Sequence, residues 1–127
     1  MFKSICSWFV LVLAGTLIDA TPWVAEPRDA TWLKHHQRLV NMTKEHAKEV
    51  KAVFLGASII ERWTQNGLEV WNEHYKNRHA YNYGIGGDRT EHVLWRIENG
   101  ELDHVDPKVI VMMVGMFSFL KSFQNLF

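Results

Sequence analysis

Apolar positions recur with different spacings along the chain, and the spacing separates its elements. From about Thr31 to Val50, Leu33, Val40 and Ala47 follow one another at seven-residue intervals, with Leu39 and Val50 beside them. Lys34, Arg38, Lys44, Glu45 and Lys48 fall elsewhere, which is the one-sided stripe of an amphipathic helix. Lys51 to Leu55 is a short β-branched and aromatic run, the pattern of a strand buried on both faces of a parallel sheet. A second helix is expected around Leu68 to Tyr75 and a second strand from Ala80 to Tyr83. Asp88 and Glu91 read as a capping box that opens a third helix and turns Val93, Leu94 and Ile97 inward. That helix ends at Asn99-Gly100, where glycine takes the left-handed cap. Pro107 then introduces the most apolar strand, Val109 to Val114. Strands alternating with helices predict an α/β fold, a parallel sheet joined by right-handed crossovers. Chemistry in such sheets sits beyond the carboxyl ends of the strands, where Ser58, Gly86-Gly87 and Gly115 all fall.

Charge removes some partners. The 127 residues carry 14 basic and 14 acidic side chains, a formal net charge of zero. No basic stripe suggests nucleic acid, and no acidic tail suggests a charged partner. Residues 1–20 have the layout of a secretory signal peptide: Lys3, an apolar run from Trp8 to Leu17, and a break at Asp19-Ala20. The run is shorter than the roughly 20 residues of a spanning helix, so secretion is expected rather than an anchor or a cytosolic location. Cys6 lies inside this segment, and the remainder has no cysteine and no disulfide. Given secretion, Asn41-Met42-Thr43 is a glycosylation sequon with Asn41 as acceptor. Residues 21–30, with Pro22 and Pro27, read as an extended lead-in, and residues 31–115 as the folded domain. The tail, 116–127, crowds in Phe117, Phe119, Leu120, Phe123, Leu126 and Phe127. It reads as a translated intron, frameshift or alternative exon, with an amphipathic helix as the other reading.

The stretch Val53-Phe54-Leu55-Gly56-Ala57-Ser58-Ile59-Ile60 delivers an apolar strand into a tight turn ending on serine. A nucleophilic serine needs exposure, a base, and donors for the oxyanion of the tetrahedral intermediate. Gly56 and Ala57 allow the close approach, and a helix start supplies unpaired amides. Ser118 and Ser122 lie in the apolar tail without a turn motif, so Ser58 is the candidate; as a local pattern it also fits a helix-capping serine. Gly84-Ile85-Gly86-Gly87 follows a strand and opens a helix, but its glycine spacing is not that of a dinucleotide loop and no P-loop lysine follows. His35, His36, His74, His79, His92 and His104 lack metal-ligand spacing and read as surface or helix-face residues. No cofactor and no metal is implied.

Beyond these local signals, Val53 to Ser58, Tyr81 to Thr90, His92 to Leu102 and Asp106 to Val111 resemble the SGNH (GDSL-type) serine hydrolases. Within that family the likeness is to catalytic subunits of the platelet-activating-factor acetylhydrolase type. The resemblance implies a three-layer sandwich of flavodoxin-like SGNH type, here truncated after the third strand. It implies Ser58 as nucleophile, the Ser58 and Gly87 amides as oxyanion donors, and Asp88 and Arg89 as shapers of the helix start. Gly87 would be glycine so that its N–H approaches the substrate without an intervening side chain. The implied substrate is a short acyl ester, acetyl-like, of a lipid or a sugar.

Three positions depart from the family pattern. Ala57 stands where an Asp usually braces the turn. Gly115-Met116-Phe117 stands where Gly-x-Asn supplies the third oxyanion donor, and losing one such donor costs roughly 10²–10³ in turnover. No Asp is followed by a His three positions later, and loss of a serine's histidine partner costs roughly 10⁶. The chain alone is therefore expected to be inactive. A non-catalytic form that binds a full-length relative, as a homo- or hetero-dimer of family members, is the competing expectation.

Overall fold

The computed structural model describes residues 21–124, so the expected signal peptide at 1–20 lies outside the described residues. Helix α1 (Ala30–His46) precedes strand β1 (Ala52–Gly56), short helix α2 (Ser58–Glu61) and helix α3 (Leu68–His74). Strand β2 (Ala80–Gly84), helix α4 (Thr90–Glu98), strand β3 (Val109–Met113) and helix α5 (Met116–Gln124) follow. Single 3-10 turns at Arg62–Thr64 and Lys76–Arg78 complete the crossover between β1 and β2. The strands are all parallel in the order β2-β1-β3, so the fold is α/β as expected. Gly56 of β1 pairs with Gly84 of β2 and with Met113 of β3, which levels all three carboxyl ends.

Strand alternation sends β1 into two separate cores. Val53 and Leu55 pack with Trp32 and Leu39 of α1, Tyr83, Ile85 and Val93 of α4. Phe54 packs on the opposite face with Ile60, Trp71 and Ala80. The Phe54 ring meets Trp71 edge-on at a centroid distance of 5.0 Å and Tyr75 at 5.1 Å. Helices thus cover both faces of the sheet around β1.

Helix α1 begins where Asp29 accepts hydrogen bonds from the Thr31 and Trp32 amides at 2.9 and 3.0 Å. The buried stripe is rotated from the one the leucines and valines suggest. Leu33 is exposed, and Trp32, His36, Leu39, Val40 and Thr43 face the core. The reason is polar: the Thr43 hydroxyl bonds the Glu101 carbonyl and the Tyr83 hydroxyl, both at 2.9 Å, and His36 meets the Glu101 carboxylate at 3.0 Å. Two side chains that look like surface groups in the sequence are here satisfied core groups.

Helix α4 corrects a second expectation. Its N-cap is Arg89, not Asp88, and the Arg89 amide donates to Nδ1 of His92 at 3.0 Å. Its buried face is Glu91, His92, Val93 and Arg96, while Leu94 and Ile97 are half-buried. His36 and His92 are therefore core residues rather than surface ones. Gly100 ends the helix with φ 87°, the left-handed geometry expected of it. Strand β3, with β1 as its partner, leaves Val109 to Met113 between 39 and 54% exposed.

Candidate active site

The turn after β1 is built by glycines that nothing larger could replace. A Cβ on Gly56 would stand 2.1 Å from the Met113 carbonyl oxygen, and one on Gly84 2.1 Å from the Glu61 nitrogen. Closing those gaps lets α2 begin immediately above the sheet, with half-buried Ser58 as its first residue. Ala57 is the N-cap and offers no side-chain bond there, as its lack of a carboxylate requires. Asn82 takes part of the load: its amide donates to the Ile60 carbonyl at 2.6 Å and its oxygen accepts from the Gly84 amide at 2.8 Å.

Ser58 lines a cavity of about 200 Å³ with Ala57, Ile59, Asp88, Met113 and the start of α5. Met116 and Phe117 form part of its wall, so the position where the resemblance calls for an amide donor presents a phenyl ring to the cleft. Gly87 is exposed, with φ 79°, in the turn closed by the Asp88 amide donating to the Ile85 carbonyl at 3.2 Å. The bonds of the two turns engage the amides of Ala57, Ile85 and Asp88; those of Ser58 and Gly87 are not among them. Ser58, Gly87 and Gly115 thus all follow the carboxyl ends of the three strands, as their places in the sequence predict; Ser58 and Gly115 line the cavity, and Gly87 is not among its lining residues. Among the described residues, no histidine lines the cavity. Ser118 is buried behind it, where its hydroxyl accepts from the Thr90 amide at 2.9 Å and ties α5 to the start of α4.

Beneath the rim lies a buried charge network. Arg96, fully buried, donates through Nη1 to Asp88 at 2.7 Å and to the Gly56 carbonyl at 3.4 Å. Its Nη2 reaches the Tyr83 carbonyl and Glu101, and its Nε reaches Glu101 at 2.8 Å. The other Asp88 oxygen accepts from Trp32 Nε1 at 2.7 Å and from Arg28 at 3.1 Å. Burial opposes the charge on Arg96, but Glu101 and Asp88 outweigh it and hold its proton more tightly than usual. Burial pushes His92 below the ordinary histidine range, and the nearby Arg89 guanidinium adds to that. The sequence carries a signal for this network: Asp88, His92 and Arg96 recur every fourth residue, one stripe along a helix and its approach.

No family model matches the chain. Sequence relatives do. Platelet-activating factor acetylhydrolase IB subunit alpha1 of Rattus norvegicus is 47% identical over 87 residues, 68% of this chain and 36% of the relative. The Homo sapiens alpha1 subunit gives the same figures. Subunit alpha2 of Rattus norvegicus is 45% identical over 98 residues, 76% of this chain and 41% of the relative. The chain thus spans about two fifths of the length of these relatives. They also correct the location expected from residues 1–20: these relatives are cytosolic subunits, which stands against secretion. The Asn41 sequon loses its premise with that correction; Asn41 sits within α1, where its side chain accepts from Gln37 at 3.0 Å. Over 68 to 76% of its residues, the chain is a sequence relative of the platelet-activating factor acetylhydrolase IB alpha subunits.

Proposed function

We propose that this chain carries the nucleophile and oxyanion turns of an SGNH-type serine ester hydrolase. Its substrate would be a short acyl ester, acetyl-like, of a lipid or sugar. The observation that carries this reading is Ser58 on an apolar cavity at the carboxyl rim of the sheet, in a chain related to acetylhydrolase subunits. In this reading the Ser58 hydroxyl attacks the ester carbonyl while the Ser58 and Gly87 amides receive the developing oxyanion. Ile59, Met113, Val114 and Phe117 give the acyl chain an apolar wall. The reading still lacks a base for the serine, and Phe117 withholds one donor, so the 127-residue chain is a poor catalyst by itself.

The test starts from the transcript. Sequence across and beyond the Gly115 codon is expected to supply Gly-x-Asn and, farther on, Asp-x-x-His in an alternative form. That longer product should release phenol from an aryl acetate, and Ser58→Ala should abolish turnover, a loss near 10⁶-fold by analogy with other serine nucleophiles. Turnover unchanged by Ser58→Ala would remove the assignment.

The exposed β3 strand favours a second reading, in which the chain is non-catalytic and binds a full-length relative through its sheet edge. Comigration of the chain with an intact relative on size exclusion is the expected result. Separate elution of the two at micromolar concentration would argue against it.

A further inference from the structure

We propose that Arg96, with Asp88 and Arg28, is a positioning device for the two turns that carry Ser58 and Gly87. The inference rests on the esterase reading above and adds the residues that hold its oxyanion amides in place. The geometry is specific to those turns. Arg96 bonds the carbonyl of Gly56, two residues before Ser58, and the carbonyl of Tyr83, at the end of the neighbouring strand. It also bonds Asp88, the residue that follows Gly87. Arg28 closes the loop from outside: its Nη1 donates to the Gly86 carbonyl at 3.0 Å and to Asp88 at 3.1 Å. Its guanidinium lies 3.3 Å from where a Gly87 Cβ would stand.

A buried arginine that served stability alone would need only its carboxylate partners, and Glu101 already supplies a two-pronged one. The three remaining N–H groups go to Asp88 and to the carbonyls of Gly56 and Tyr83, in the segments that lead into the proposed donors. The Ser58 turn contributes its backbone carbonyl to this guanidinium, and the Gly87 turn contributes Asp88. One rigid, planar group therefore sets their spacing. Displacements near 1 Å in such constellations cost roughly 10²-fold in rate, so the spacing is worth fixing from below.

The test uses the 127-residue chain and an alkyl fluorophosphonate at raised pH. Ser58 Oγ forms the P–O bond, the P–F bond breaks, fluoride leaves, and hydroxide takes the hydroxyl proton. Labelling at Ser58 is followed by peptide mass spectrometry, with Ser58→Ala as the blank. Three variants are compared: Arg96→Lys, Asp88→Asn, and Arg28→Gln, whose half-exposed side chain makes it the variant most certain to fold. Each folded variant should label about 10- to 100-fold more slowly than the parent. Backbone order parameters at Ser58, Gly86 and Gly87 should fall from about 0.85 towards 0.6, while those of β1 stay rigid. A uniform loss of order throughout the sheet, or folded Arg28→Gln with parental rate and parental order, overturns the proposal. Because this chain has no base for Ser58, an unlabelled parent passes the decision to the order parameters: loss confined to the two turns supports the proposal, and parental order in folded Arg28→Gln overturns it, while the esterase reading stands or falls with Ser58→Ala in the longer product.

Discussion

Gly84 and Gly87 stand three residues apart and are glycine for different reasons. Gly84 has no room: an added methyl would meet the Glu61 backbone at 2.1 Å. Gly87 has room but an unusual backbone, with φ 79° and only the tip of Arg28 nearby. Gly84→Ala should therefore cost at least about 1–3 kcal/mol in urea unfolding, the scale of an overpacked core. Gly87→Ala should cost about 1–2 kcal/mol from backbone strain, while its effect on Ser58 labelling is proportionally larger. A loss of Ser58 labelling in Gly84→Ala as large, relative to its loss of stability, as that in Gly87→Ala would contradict this difference. At this scale the sequence reveals Ser58 and the glycines, because turn chemistry is local. It shows the four-residue spacing of Asp88, His92 and Arg96 but not their burial, nor Glu101 as their partner, because the groups that make that burial tolerable include side chains of other elements.

Elements were legible wherever apolar spacing is strong, and mis-faced wherever polar groups do the packing. The reading of α1 from Leu33, Val40 and Ala47 finds Leu39, Val40 and Val50 in the core but rotates the face, because Leu33 is exposed while His36 and Thr43 are held inside by Glu101 and Tyr83. Helix α2 spans only four residues, too few for apolar periodicity, and its start at Ser58 is legible only from the tight turn before it. Helix α4 carries a pH dependence of its own. His92 sits below the ordinary histidine value of about 6.5, chiefly because it is buried. Below that value the unfolded chain binds more protons than the folded one, so stability is full above it and falls as the pH drops towards the lowered value. The melting temperature should fall on acidification through this window, and fall less in His92→Asn, whose amide oxygen can still accept from Arg89. Parallel pH curves for the two proteins would exonerate His92.

Among the described residues, β1 alone has a strand on either side, and β2 and β3 are the edges of the sheet. Around β1 both faces are covered, whereas β3 bares five consecutive apolar residues and an unpaired backbone edge. No charge, proline or bulge interrupts that strand, and a net charge of zero offers no repulsion between copies. Concentration-dependent association is expected on size exclusion, and Val111→Lys should reduce it by placing a cation on the exposed strand. Association undiminished by that substitution would place the contact elsewhere.

The charge network also sets the order of assembly. Its bonds join residues far apart along the chain: 40 positions from Gly56 to Arg96, 56 from Trp32 to Asp88, and 65 from His36 to Glu101. Helix α1 comes before β1, yet its Trp32 and His36 bond Asp88 and Glu101, which lie beyond β2. Contacts of such long range form late, after the loop entropy has been spent. Docking of α1 should thus be the final folding event, and Trp32→Phe should speed unfolding while leaving the refolding rate nearly unchanged.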